Sequence, residues 1–119
     1  MSEPQPIPTG RPPLHVHDVP DRSRYEARLG DDPALAGLLT YRLGADWMAL
    51  LHTEVQEGYE GRGVGSRLVR AVLEDLRARG LRLVPKCPFV VRWLERHPEQ
   101  QDILLRPLGA PDPEEPGTA

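Results

Sequence analysis

The spacing of apolar residues gives the first part of the chain the pattern of a sheet. Residues 24–29 alternate apolar and polar side chains, which predicts a β-strand. Two further apolar stretches, 36–43 and 47–55, flank a short Gly-Ala-Asp turn at 44–46 and predict an antiparallel hairpin. The first part of the fold is therefore expected to be an antiparallel sheet.

After this sheet pattern the period changes to that of a helix. Apolar residues then recur on one helical face at Val64, Leu68, Val69, Val72, Leu73 and Leu76. This pattern predicts a long helix that ends at Gly80, because glycine suits the position after a helix. The apolar run 81–84 is typical of a short buried strand, and 89–97 predicts a second helix stopped by Pro98. We expect an α/β fold with a mixed sheet, antiparallel N-terminal strands and one right-handed βαβ crossover.

The prolines mark the expected limits of the folded domain. Six of the fourteen lie within residues 1–20 and four within 107–119. Both stretches lack apolar periodicity, so burial cannot offset the entropy lost on ordering them. We expect a poorly ordered proline-rich arm over 1–21, part of which could pack as an edge segment, one domain over 22–106, and a disordered tail over 107–119.

Composition excludes several classes of protein. The chain of 119 residues suits a single core, and no apolar run approaches the ~20 residues of a membrane-spanning helix. The N-terminus lacks the features of a secretory signal. One cysteine permits neither an internal disulfide nor a cysteine-based four-ligand zinc site, so we expect a cytoplasmic location and no metal centre. The net charge of −3 argues against a dedicated nucleic-acid binder.

The most informative stretch is the glycine-rich loop Y-E-G-R-G-V-G-S-R-L-V at 59–69. Gly61, Gly63 and Gly65 allow a ligand close to the backbone, and the loop enters a helix whose first amides favour an anion. Arg62 adds positive charge. The spacing is neither a Walker A loop nor a dinucleotide fingerprint, because Gly-Lys-Ser/Thr is missing and an antiparallel hairpin comes first. The loop predicts a diphosphate cradle, and a tight turn without a ligand is the alternative.

The charges are distributed unevenly around this loop. Residues 62–96 contain nine basic side chains and three acidic ones, whereas 46–60 contain four acids and neither Lys nor Arg. A basic half would suit a polyanionic cofactor, and an acidic strand would suit a cationic substrate. A solvated, arginine-rich helix face accounts for most of these residues equally well.

Four motifs occur in a characteristic order. They are H-T-E-V at 52–55, G-R-G-V-G at 61–65, V-P-K-C-P-F-V at 84–90 and W-L-E-R-H-P at 93–98. Together they resemble the short branch of the GNAT superfamily of acetyl-CoA-dependent N-acetyltransferases. The resemblance covers nearly the whole expected domain and implies a GNAT-like mixed sheet with a splayed strand pair.

The resemblance also implies which residues hold the diphosphate of acetyl-CoA. The superfamily motif Gln/Arg-x-x-Gly-x-Gly/Ala matches residues 60–65, with Glu60 in place of the usual Gln or Arg. Because the cradle acts mainly through backbone N–H groups, we expect this departure to weaken binding modestly. The implied diphosphate-binding residues are Gly61, Arg62, Gly63, Val64, Gly65 and Ser66.

The rest of the cofactor is implied to lie where the strand 47–55 diverges from the strand 81–84. Its pantetheine amides would pair with the strand edge at Glu54 and Val55, as an added β-strand does. In most members of the superfamily the acceptor amine attacks the thioester directly. A primary amine with a pKa of about 10.4 is protonated at neutral pH, so its proton must be removed.

Cys87 and His52 are the candidate catalytic residues. The imidazole pKa of about 6.5 suits a base, and we expect His52 to share a strand face with Leu50 and Glu54. Cys87 precedes a predicted helix, whose dipole favours a thiolate. The resemblance implies that the two act together, as base and acid or through an acyl-cysteine. As alternatives, Glu54 is the base, Cys87 is a small buried hydrophobe, or His52 is a half-buried strand residue.

The sequence therefore predicts an acetyl-CoA-binding N-acetyltransferase that modifies an unidentified primary amine. Because the domain lacks the extra N-terminal helices of longer superfamily members, we expect an open site for a small molecule or an exposed protein amine. No nucleic-acid or membrane partner is expected, and the chain is expected to be a monomer or weak dimer. The alternative is a non-catalytic acyl-CoA-binding or regulatory module, and a nucleotide-phosphate binder unrelated to GNAT proteins is disfavoured.

Overall fold

The computed structural model describes residues 12–110, so the predictions for 1–11 and 111–119 lie outside the described residues. Short 3₁₀ turns occur at Pro20–Arg22 and Pro98–Ile103. The longer elements are β1 (Leu14–Val19), β2 (Arg24–Leu29), β3 (Gly37–Leu43), β4 (Trp47–Val55), α1 (Val64–Arg79), β5 (Arg82–Pro85) and α2 (Pro88–Arg96). All the elements predicted from periodicity are present, with ends that differ by one residue at most.

The five strands form one sheet in the order β1-β2-β3-β4-β5. The first three pairings are antiparallel, as short connections between neighbouring strands favour. β5 pairs with β4 in parallel, and α1 forms the crossover between them. The predicted mixed sheet with antiparallel N-terminal strands and one βαβ unit is confirmed.

The predicted domain start at residue 22 is too late. The segment Leu14–Val19, part of the expected arm, forms the edge strand β1 and pairs along its whole length with β2, so the arm does contain an edge segment. Leu14 and Val16 pack against the core, whereas the histidines beside them are exposed. Four alternating residues between prolines are a weak signal alone, and the strand is stabilised by the ladder that β2 offers to it.

The main core lies between one face of the sheet and both helices. It includes Leu39, Met48, Leu50, Leu68, Leu73, Val90 and Leu94, none of which is more than 1% exposed. A smaller cluster on the opposite face joins Trp47, Ala49 and Val84 to Leu105 of the C-terminal segment. Because both helices occupy one face, no helix among the described elements covers the opposite face along β2 and β3.

β4 and the edge strand β5 diverge halfway along β4. β5 pairs only with residues 47–50 of β4, so the edge of 51–55 on that side is left without a strand partner. The backbone N–H groups of Lys86 and Cys87 both donate to the Leu50 carbonyl, at 2.9 and 3.0 Å, and close the junction. The splayed strand pair implied by the resemblance is therefore present.

Candidate functional site

A cavity of about 380 Å³ lies beyond the point where β4 and β5 diverge. It is bounded by the end of β4, the glycine-rich loop, the start of α1 and one face of α2. Its lining residues are Val55, Tyr59, Glu60, Gly61, Gly63, Val64, Gly65, Ser66, Phe89, Trp93 and Arg96. Six of the eight predicted cofactor-binding residues line it, and the two that do not are Glu54 and Arg62.

The loop enters α1 through a glycine that no side chain caps. Gly63, the N-cap, has φ +71°, a left-handed conformation that costs a residue with a Cβ about 1–2 kcal/mol. Within the described residues no side chain caps this end, and the first turn of α1 holds no acidic residue. The first N–H groups of a helix have no intrahelical partner, and the helix dipole favours an anion beside them. This end of α1 is therefore suited to a phosphate group.

Gly65 allows three elements to meet closely at the wall of the cavity. A Cβ at this position would lie 2.9 Å from Cζ of Phe89 and 3.5 Å from Cγ2 of Val55. The first distance is shorter than van der Waals contact, so a larger residue would push the Phe89 ring away from α1. Glycine here sets the width of the cavity between α1, α2 and β4.

The loop before α1 is held by its own side chains. Oε1 of Glu60 accepts a hydrogen bond from the N–H of Gly58 at 2.9 Å, which fixes the turn. The Arg62 guanidinium lies over the Tyr59 ring, 5.6 Å from its centre, and the Tyr59 hydroxyl donates to Asp32 at 2.7 Å. Glu60, the departure from the superfamily motif, therefore has a role in loop geometry, while its charge stays at the cavity wall.

A β-bulge decides which side chains of β4 face the helices. Thr40 pairs with His52 and Tyr41 with Leu50, so Leu51 is an extra residue in β4. A one-residue slip exchanges the two faces of a strand. Thr53 consequently lies on the helix side of the sheet.

The prediction that His52 shares a face with Leu50 is wrong for this reason. Leu50 is completely buried in the core below the helices, whereas His52 lies beyond the bulge, on the opposite face, and is exposed. Glu54 shares that exposed face with His52, as predicted. The hydrogen-bond partner that the structure gives Cys87 is Thr53, not His52.

The bulge also determines which backbone groups of β4 face the cavity side. The N–H of Gln56 donates to Ala36 of the segment before β3, and antiparallel pairing alternates every two residues. The backbone groups of Glu54 therefore point toward β3. Those of Thr53 and Val55 point to the free edge. The sequence predicts Glu54 and Val55 at this edge, and the structure has Thr53 there in place of Glu54.

Cys87 is the N-cap of α2 and is 4% exposed. Its Sγ lies 3.5 Å from Oγ1 of Thr53. Burial raises the pKa of the thiol, but hydrogen bonds from the Thr53 hydroxyl and from the backbone N–H groups of Val90, Phe89 and Thr53 outweigh it and leave the pKa below its usual value. The thiolate is therefore more favoured than in an ordinary cysteine, although the side chain does not line the cavity.

Two residues of this region went unnoticed as site residues in the sequence. Thr53 belongs to the H-T-E-V motif, but its contact with Cys87 depends on the bulge and is not predicted from that motif. Arg96 lies in the motif at 93–98 and among the basic residues, but no binding role is predicted for it, and it lines the cavity. The spacing of Phe89, Trp93 and Arg96, which places all three on one face of α2, is the signal that could have identified Arg96.

Neither a metal cluster nor a membrane-spanning helix occurs among the described residues. Within residues 12–110, no group of three or more His, Cys, Asp or Glu side chains is arranged to hold a metal ion. No helix in the same range has the length and apolar character needed to cross a bilayer.

Comparison with known proteins places this geometry in a family. The chain is 29% identical over 89 residues to Protein NATD1 of Mus musculus, covering 75% of this chain and 81% of that protein. For Protein NATD1 of Homo sapiens the identity is 28%, with 75% and 79% covered. The fold is similar to the NMR solution structure of a candidate GCN5-like N-acetyltransferase from Staphylococcus aureus, with TM-score 0.60, 27% identity, and 86% and 95% of the two chains covered. Residues 24–103 match the family model of the GCN5-related N-acetyltransferases, and the chain belongs to this family.

Proposed function

We propose that this chain binds acetyl-CoA and transfers its acetyl group to a primary amine. The observation that carries the proposal is the meeting of two features at one cavity. The start of α1, with no side-chain cap among the described residues, suits phosphate groups, and the free edge of β4 suits an extended chain of amides. A ligand with a diphosphate joined to a pantetheine arm matches both features.

The residues divide the binding of this ligand between them. The backbone N–H groups of Gly61, Gly63, Val64, Gly65 and Ser66 would hold the diphosphate, with Arg62 nearby in the loop. The backbone groups of Val55 and the carbonyl of Thr53 would pair with the pantetheine amides, while the N–H of Thr53 donates to Cys87. When bound, acetyl-CoA supplies an acetyl group activated as a thioester.

Cys87 and His52 are the proposed catalytic residues, acting from two sides of β4. The lowered pKa of Cys87 favours a thiolate that can accept a proton or an acyl group. His52 is exposed on the face opposite the helices, where it can take a proton from an amine arriving from solvent. Because water can also accept that proton at an exposed position, His52 is expected to contribute less than Cys87.

The acceptor is proposed to be a cationic amine that approaches over the open sheet face. Glu54 is exposed beside His52, and its carboxylate would attract an ammonium group. No helix among the described elements covers this face along β2 and β3, which leaves room for a protein amine as well as for a small polyamine.

A non-catalytic acyl-CoA-binding module is the second candidate. The observation that favours it is the burial of Cys87, which is 4% exposed and does not line the cavity. In this case the chain binds acetyl-CoA and releases no thiol with any amine. Turnover therefore separates the two candidates.

The first experiment is calorimetric titration with acetyl-CoA, followed by a thiol-release assay on a panel of amines. We expect saturable binding and amine-dependent release of CoA. If there is no binding at millimolar acetyl-CoA, both candidates fail. Binding without release on any amine favours the non-catalytic module.

Variants then test the two proposed catalytic residues. Cys87→Ala is expected to lower turnover at least ~10-fold, within the usual range for general acid–base groups, and His52→Ala only a few-fold. His15→Ala is a matched control, because His15 is exposed on the same sheet face but lies in β1. Unchanged turnover in Cys87→Ala would leave that side chain a packing role only.

A further inference from the structure

One face of α2 changes from apolar to cationic along the cavity. Phe89, Trp93 and Arg96 follow one another at spacings of four and three residues, which places them on one helix face, and all three line the cavity. With a rise of 1.5 Å per residue, Arg96 lies ~10 Å farther along the helix axis than Phe89. The cavity wall therefore begins near Cys87 as an aromatic surface and ends with a guanidinium group.

Trp93 fixes the orientation of this face relative to the loop. Its indole N–H donates to Oγ of Ser66 at 2.8 Å, which ties α2 to the first turn of α1. The His97 ring stacks on the indole with ring centres 3.9 Å apart, and the Arg70 guanidinium lies 5.3 Å from the centre of the Trp93 ring. Held on these sides, the helix keeps Arg96 at the outer end of the cavity.

Arg96 is available to an anion from solvent. Its side chain is exposed, and within residues 12–110 it forms no salt bridge. The last carbonyl groups of α2 point toward the same end and disfavour an anion there, so a phosphate near this end needs a cation. A guanidinium binds a phosphate through two parallel hydrogen bonds.

The position of Arg96 differs from that of the diphosphate donors. Those donors belong to the loop and the first turn of α1, whereas Arg96 comes from the facing wall, on the last turn of α2. Acetyl-CoA carries a third phosphate, on the ribose 3′ position, beyond the diphosphate when seen from the thioester. The change from aromatic to cationic side chains along α2 matches the order of groups along the cofactor, from the pantetheine arm to the 3′-phosphate.

We propose that Arg96 binds the 3′-phosphate of acetyl-CoA and makes the site selective for it. This inference rests on the proposed function. The selectivity is against thioesters of the same pantetheine arm that lack this phosphate, such as 3′-dephospho-acetyl-CoA or an acetyl group on the arm of a carrier protein.

The test is a cycle that removes the arginine and the phosphate separately. Dissociation constants of acetyl-CoA and 3′-dephospho-acetyl-CoA are measured by calorimetry for the wild type, Arg96→Ala, Arg96→Lys and Arg92→Ala. Arg92 is an exposed arginine of the same helix that does not line the cavity, so it is the matched control. Thermal unfolding verifies that all four proteins are folded.

We expect the wild type to bind acetyl-CoA about 10-fold more tightly than the dephospho form, as a charge-assisted contact near the surface predicts. Arg96→Ala should reduce this ratio to nearly one, Arg96→Lys should give an intermediate ratio, and Arg92→Ala should keep the wild-type ratio. Binding of the dephospho form should be the same in the wild type and in Arg96→Ala.

Two results would overturn the inference alone, with acetyl-CoA binding intact. One is a wild type that binds both thioesters equally well. The other is an Arg96→Ala variant that weakens both by the same factor, which would place the guanidinium on the diphosphate. If the wild type binds neither thioester, the proposed function fails and this inference fails with it.

Discussion

The two ends of α1 are built in opposite ways. At the C-terminal end, Arg77 forms a salt bridge with Asp102 at 2.8 Å, and Arg79 reaches Asp18 at 3.2 Å. Gly80 caps the helix by donating its N–H to the last carbonyl groups. Basic side chains in the last turn also suit the negative end of the helix dipole. This end is closed by groups of the protein itself.

Two tyrosines extend the closed end into the sheet. The hydroxyl of Tyr25 donates to Asp75 at 2.6 Å and that of Tyr41 to Asp18 at 2.7 Å, while Arg79 lies between the two carboxylates. The network joins α1 to three strands. Its polar groups satisfy one another, which is what burial of such groups requires.

The N-terminal end has no such partners among the described residues. Gly63 brings no side chain to cap the first amides, and no acid stands in the first turn. A Ser, Asp or Asn cap would stabilise the helix by ~1 kcal/mol, so this end forgoes stability. One end of α1 therefore stabilises the fold, whereas the first amides at the other end have no side-chain cap among the described residues.

Closing the open end with a carboxylate should have the largest effect. Ser66 lies in the first turn of α1, where an Asp can accept hydrogen bonds from the free amides and stabilise the helix. The same charge would repel the diphosphate, so Ser66→Asp is expected to weaken acetyl-CoA binding ~100-fold or more. Calorimetry measures the binding, and thermal unfolding should show an unchanged or higher midpoint.

The control for this change is Ser66→Asn, which has the same size without the charge. It should keep an acceptor for the Trp93 indole and weaken binding far less than Asp. Equal losses in the two variants would mean that shape, and not charge, decides binding at this end of α1.

Weakening the closed end should change stability and not binding. Tyr25→Phe removes a partly buried hydrogen bond to Asp75 and is expected to lower the free energy of unfolding by about 1–2 kcal/mol. For a domain of this size that corresponds to a fall in midpoint of roughly 4–8 °C per kcal/mol. The dissociation constant of acetyl-CoA should stay within a factor of two, and a tenfold change would show that the two ends are coupled.

The same tyrosines predict a loss of stability at alkaline pH. Burial, followed by the hydrogen bond to Asp18, raises the pKa of Tyr41 to about 12, and burial with the bond to Asp75 raises the pKa of Tyr25 as well. Unfolded tyrosine titrates near pH 10, so above this pH the folded state retains protons that the unfolded state loses. The contribution of the two protonated tyrosines to the free energy of unfolding is complete below about pH 10 and declines as the pH rises toward 12.

Denaturant unfolding between about pH 9 and pH 12 measures this decline. The double variant Tyr25→Phe, Tyr41→Phe removes both titrating groups and should show a flatter profile over that interval. An equally steep profile in the double variant would assign the decline to other groups.

The smallest effect is expected at the cavity end of the sheet, where Thr53 contacts Cys87. Thr53→Val removes the hydroxyl that stabilises the thiolate, so the pKa of Cys87 should rise. Thr53→Ser keeps the hydroxyl and should retain the low pKa. Because the chain has one cysteine, a titration of thiolate ultraviolet absorbance below the pH at which tyrosine ionises reports this group. A Thr53→Val titration that superimposes on that of the wild type would contradict the assignment.

Local patterns in the sequence were sufficient for most of the fold. The two-residue alternation at 24–29 and the helical period of α1 are set by neighbouring residues alone. The structure has a strand and a helix where these patterns predict them. β1 was expected only as an edge segment of the arm, without bounds, because an edge strand between prolines depends on β2 for its hydrogen bonds. The segment forms a strand because it pairs with β2.

The site was predicted less completely than the fold. The glycine-rich loop could be identified from the sequence, because glycine is needed wherever a ligand or another element approaches the backbone closely. The bulge at Leu51 could not be predicted from the sequence. It places His52 on the outer face of the sheet and Thr53 beside Cys87. Arg96 lies at the cavity on the same helix face as Trp93, whose indole N–H donates to Ser66 of α1.

The amino-acid sequence by itself determined the order of strands and helices, the glycines before α1 and the cysteine before α2. Each follows from backbone preferences that act over a few neighbouring residues. Only the tertiary structure decided which face each side chain of β4 takes and which wall of the cavity carries a cation. Strand register and helix packing depend on contacts between residues far apart in the chain, and no local pattern encodes them.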